Sequence, residues 1–173
     1  MVRLCHRYGP GRLPYAGRND IGGGIAMAAT GLLAISLWFG AAGLLTLVGA
    51  MNGTLGFVFG LGLVAVPVAI PTSFIVGTLL WRRLRPDGDR QRYGALFGGL
   101  TALGSLVTGG FGPAFLVGVS NFTRGEMVLL DAVVFTALLL PVSVVFAVIA
   151  AGWLVVPLGA FGGWYHERAK ARS

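Results

Sequence analysis

Between Ile21 and Tyr165 the chain consists of four apolar stretches, and this feature excludes most of the ways such a chain could fold in water. The stretches run from Ile21 to Ala50, Leu55 to Trp81, Gly94 to Phe122 and Met127 to Tyr165. A helix needs about 20 predominantly apolar residues to cross roughly 30 Å of hydrocarbon, and each stretch exceeds that. A backbone in lipid finds no water to pair with, so a spanning segment must satisfy its own N–H and C=O groups. The expectation is an all-α fold, a polytopic integral membrane helical bundle of four transmembrane helices. Charged residues make up 11% of the chain, against about 25% in a typical soluble domain. Such a chain could not cover its surface with polar groups in water.

The polar intervals set the expected orientation. The segment 1–20 carries Arg3, Arg7, Arg12 and Arg18 among glycines and prolines and reads as a basic tail. The interval from Trp81 to Tyr93 carries Arg82, Arg83, Arg85, Arg90 and Arg92, and the chain ends with Arg168, Lys170 and Arg172. The two remaining connections, 51–54 and 123–126, hold a single basic residue, Arg124. Cytoplasmic loops are enriched in Lys and Arg. Four spans with both termini cytoplasmic satisfy this partition, whereas a fifth span would carry the last basic cluster outside. The expected location is therefore a cell membrane, multi-pass, with the lipid bilayer as the first partner. Trp81, Tyr93, Trp164 and Tyr165 would then lie at the level of an interfacial aromatic belt.

The expected spans lie near 21–50, 55–81, 94–122 and 127–153. Pro157, Gly159, Gly162 and Gly163 interrupt the rest of the fourth stretch, so 154–165 is expected to lie along the interface and 166–173 to form a second basic tail. A formal net charge of +7 does not point to nucleic acid, because the basic residues cluster at span edges. One cysteine, Cys5, permits no internal disulfide and no thiolate cluster, and Cys5-His6 lacks two of the four ligands of a closed metal site. No nucleophile–base grouping, phosphate-binding glycine loop or metal-ligand spacing is present. The chain is accordingly expected to act without catalysis and without a cofactor.

The two halves of the chain resemble each other. Gly31-Leu32-Leu33-Ala34-Ile35 parallels Gly99-Leu100-Thr101-Ala102-Leu103, Asn52-Gly53-Thr54 parallels Asn121-Phe122-Thr123, and Ile70-Pro71-Thr72-Ser73 parallels Leu140-Pro141-Val142-Ser143. Two explanations stay open: a parallel repeat of two helical hairpins, or coincidence in a biased composition. Asn52 and Asn121 match the N-glycan acceptor pattern. Their place in tight hairpin tips favours turn and cap roles, with Thr123 and Glu126 forming a capping box for the fourth span.

Glycine carries most of the remaining information. Of 29 glycines, many fall in the third stretch and none between 127 and 151. Gly56-x-x-x-Gly60 and Gly94-x-x-x-Gly98 put small residues one turn apart, which lets helix backbones approach closely. The third span is thus expected at the centre of the packing and the fourth at its periphery. Glycine faces of this kind suit a homo-oligomer or a membrane-protein partner.

A transport role would draw on different residues. Gly109, Gly110, Gly112 and Pro113 interrupt the third span, and Pro67 and Pro71 stand in the second at comparable depth. Glycine costs about 1 kcal/mol relative to alanine within a helix, and proline removes a hydrogen bond. Such breaks persist in lipid where protein or a wet cavity satisfies the freed carbonyls. Asp131 is the single ionisable residue well inside an apolar stretch, and intramembrane acids are functional candidates by default. The sequence therefore favours a helix-packing or accessory membrane subunit, with a small transporter or channel component as the alternative.

Overall fold

The computed structural model describes residues 19–83 and 90–170. The basic tail with Cys5 and His6, the middle of the arginine loop at 84–89, and 171–173 lie outside the described residues. Within them the regular structure is entirely helical: α1 Asn19–Leu47, α2 Gly53–Arg83, α3 Arg90–Gly109, α4 Phe111–Thr123 and α5 Leu129–Lys170. α3 and α4 form one rod interrupted at Gly110, so the five helices make four candidate spans. By length and composition these are the spans of a multi-pass membrane protein.

Successive rods run antiparallel. Thr30 of α1 meets Gly162 of α5, Val76 of α2 meets Gly104 of α3, and Gly98 of α3 meets Gly159 of α5. The bundle has a basic end, where α2 finishes and α3 begins, and a tip end with the two short connections. Both connections use the same termination device. Ala50 N–H bonds Leu45 O and Gly49 N–H bonds Thr46 O, just as Glu126 N–H bonds Asn121 O and Gly125 N–H bonds Phe122 O. This is the Schellman pattern, which needs a left-handed residue after the helix. Gly49 and Gly125 supply it at φ 70° and 73°.

Several local expectations are revised. Thr123 and Glu126 form no capping box. Thr123 is the last residue of α4, and its hydroxyl turns back to Ser120 O at 3.1 Å. At the other tip the cap of α2 is Asn52, whose Oδ1 accepts the Leu55 N–H at 2.9 Å. The two Asn-x-Thr triplets therefore stand in different places, one opening a helix and the other closing one. The resemblance of the halves lies in the shared helix–tip–helix arrangement.

α5 differs most from expectation. It runs unbroken for 42 residues through Pro141 and Pro157, or about 63 Å at 1.5 Å per residue. It does not stop near 151–153. Both prolines are exposed. Gly159 and Gly163, which look like helix breakers in the sequence, are contact residues. They face Gly98 and Gly94 of α3, and a Cβ on Gly94 would fall 2.5 Å from Gly163 O. α3 and α5 share the most extensive interface in the bundle, so the fourth span is as central as the third.

Candidate functional site

The bundle centre is not filled. A cavity of about 150 Å³ lies between α1, α2, α3 and α5. Its lining forms a continuous stripe on each helix, from Met27 to Phe39 on α1, Val58 to Ser73 on α2, Gly98 to Gly109 on α3 and Ser143 to Gly159 on α5. Twelve residue steps along α1 rise about 18 Å, so the volume is drawn out into a slot. Small side chains create it: Ala34, Ala65, Ala69, Ala102, Ala147 and Ala150 stand where longer ones would meet.

The slot's polar groups are largely turned away from it. Thr30 donates to Ala26 O at 2.8 Å, Ser73 to Ile70 O at 2.7 Å, and Ser105 to Thr101 O at 2.9 Å. Each is a hydroxyl bonding its own helix, a common resort of Ser and Thr within helices. Thr101 Oγ1 and Trp38 Nε1 have no hydrogen-bond partner, yet both atoms are covered by protein and offer no open surface. Trp38 packs against Phe59 with the rings tilted and their centroids 4.8 Å apart, and its nitrogen packs over Gly62. What remains facing the slot is aliphatic and aromatic.

Gly109 and Pro113 stand on the slot wall. Gly110 and Gly112 flank it as points of close approach: a Cβ on Gly110 would lie 2.9 Å from Val144 Cα, and one on Gly112 2.9 Å from Val64 O. The interruption spans a single residue, and Gly110 keeps right-handed helical angles. Its carbonyl accepts the Ser143 hydroxyl across the interface at 2.7 Å. Neighbouring protein thus satisfies this carbonyl at the break. Pro67 and Pro71 are not brought to the slot. Both are exposed on α2, which continues through them. Asp131 is also exposed, in the first turn of α5. There a carboxylate is favoured by the helix dipole.

A second polar grouping closes the basic end. Trp81, expected at belt level, is turned inward and only 8% exposed, against 43% for Tyr93 and 44% for Tyr165. Its indole N–H donates to Glu167 Oε1 at 2.7 Å, and Lys170 Nζ lies 2.9 Å from the same oxygen. Phe97 and His166 meet the Trp81 ring edge-on, at 5.5 and 6.0 Å between centroids. Gly23 of α1 packs under the same ring, so all four spans converge on this one side chain. Met27, which lines the slot, packs with Trp81 and Phe97 in one buried cluster.

Sequence reasoning missed Glu167 and His166 because they fall in a segment that reads as a solvated tail. It missed the slot because alanine, serine and threonine at spacings of three and four are unremarked in an apolar helix. That spacing, repeated at one level on all four spans, is the signal that could have found it. Among the described residues no three His, Cys, Asp or Glu side chains come together as a metal site would need. The chain matches no known protein family, no curated protein and no solved structure.

Proposed function

We propose that this chain is a cell-membrane protein, with both termini cytoplasmic, that works without catalysis by associating with another transmembrane helix. The observation that carries this is the division of its glycines into two groups. Those of the basic half and of the α3–α5 interface are consumed inside the bundle. Gly24 packs on Phe74 and Thr78, Gly77 on Met27, and Gly94 and Gly98 on Gly163 and Gly159. Gly40, Gly43, Gly53, Gly56 and Gly60, on the tip halves of α1 and α2, have nothing within 4 Å. Gly56 and Gly60 are both exposed and lie one turn apart. Without a hydrophobic drive between helices in lipid, close backbone approach through such pairs is a main source of association. The simplest occupant is a second copy of the chain, making a homo-oligomer.

Counting photobleaching steps of singly labelled protein in liposomes tests this. Two or more steps are expected for the wild type, and one for Gly56→Leu/Gly60→Leu, with thermal stability not lowered, because an added Cβ at either glycine meets nothing of its own bundle and leucine is the better helix former. Single-step bleaching of the wild type would overturn homo-association. The transport alternative has narrower support: Gly109 and Pro113 line the slot, while Asp131, Pro67 and Pro71 face away from it.

A further inference from the structure

The slot has the form of a container for one hydrocarbon chain. At about 18 Å along α1 and about 150 Å³ in volume, it is far longer than it is wide. Its lining carries no charged side chain along that length, so it suits hydrocarbon better than a polar ligand. Water is a poor occupant, since a buried water typically needs two to four polar partners. Here the wall hydroxyls of Thr30, Ser73, Ser105 and Ser143 already donate to carbonyls. An ion is a poorer occupant still, because no charged side chain lines the space.

The ends of the slot differ. At the basic end Met27 lines it, and behind Met27 lies the buried cluster with Trp81 and Phe97. Toward the tip end the slot is lined by both α1 and α5. Their close contact at Thr30 and Gly162 belongs to the basic half, and beyond it Phe39 and the exposed Phe146 flank the slot. The surroundings of that flank in a four-span protein are lipid tails.

From this we infer that the slot holds an acyl chain of a bilayer phospholipid, entering between the tip halves of α1 and α5 and ending toward Met27. The inside of the bundle is used here and its outside in the association proposed above, so either can fail without the other.

The test uses full-length protein in palmitoyl-oleoyl-phosphatidylcholine liposomes doped with a phosphatidylcholine whose acyl chain carries a diazirine near its end. After photolysis, adducts are mapped by mass spectrometry. Label is expected on slot residues such as Ala34 and Ala147, besides the lipid-facing Leu138. Ala34→Phe, which plugs the slot, should cut slot labelling at least tenfold and leave Leu138 labelling unchanged. If that variant does not fold, Ala147→Phe blocks the slot from the opposite wall. A parallel arm uses a diazirine-bearing palmitic acid. Slot labelling by the fatty acid with none by the phospholipid would overturn the bilayer lipid as the occupant. Wild-type label confined to exposed residues in both arms would overturn the inference entirely.

Discussion

Trp81 stands at the edge of the arginine loop, where the sequence places its ring at headgroup level, and it is in fact the residue on which all four spans close. Its indole N–H is buried with a carboxylate acceptor on Glu167, 86 residues away in sequence. Removing the acceptor leaves a buried donor unsatisfied, at a cost of about 1–3 kcal/mol. Glu167→Ala should therefore lower the unfolding free energy in detergent by that amount. Glu167→Gln keeps an oxygen for the indole and loses the Lys170 ion pair. With the lysine side chain 29% exposed, that pair contributes little, on the order of 0.3–0.5 kcal/mol for neighbours on a helix surface. The glutamine variant should lose less than about 1 kcal/mol by that accounting. In a Trp81→Phe background, which has no donor to strand, Glu167→Ala should cost less than in the wild type. Strict additivity of the two changes would show that the hydrogen bond does not couple the helices.

At the scale of helices, the paired motifs Gly94-x-x-x-Gly98 and Gly159-x-x-x-Gly163 face each other across the α3–α5 interface. The first pair was legible in the sequence as a packing face. The second was not, because Pro157 beside three glycines reads locally as the end of a helix, and only the partner backbone shows what those glycines accommodate. A substitution test follows from the geometry. A side chain at Gly98 would meet the Gly159 backbone, with its carbonyl carbon 2.8 Å from the new Cβ. Two backbones cannot yield as a flexible side chain can. Gly98→Leu should then cost at least about 1–3 kcal/mol by overpacking. Val134→Leu, at an exposed position on α5, should stay within about 0.5 kcal/mol of the wild type. Thermal unfolding in detergent compares the two. Equal stability would mean that α3 and α5 do not meet through Gly98.

Over the whole molecule, the number of spans was legible and their mutual arrangement was not. Length and apolarity fix the first, because a continuous apolar stretch of that length satisfies its backbone in lipid as a single helix. The second leaves little trace in one sequence: lipid is as apolar as a leucine, so lipid-facing and buried positions lack the polar contrast that marks the faces of a water-soluble helix. Trp81 and Tyr93 illustrate this, being similar interfacial aromatics in sequence and opposite in burial. Sidedness, however, rests on charge, which the sequence displays openly. The arginines of the central loop and both terminal clusters fall on one side of four spans, and only Arg124 on the other. In a Cys5→Ala background, single cysteines at Gly53 and Gly125 should react with an impermeant maleimide added to intact cells, because both lie at the tip end. A cysteine at Gly88, within the arginine loop, should react only after lysis. An added side chain meets nothing within 4 Å at Gly53 or Gly125, so neither reporter clashes with the bundle, although at Gly125, with φ 73°, it strains the turn by about 1–2 kcal/mol. If Gly88 is labelled from outside while Gly53 and Gly125 are protected, the protein is inserted the other way round. The charge asymmetry would then reflect some constraint other than membrane orientation.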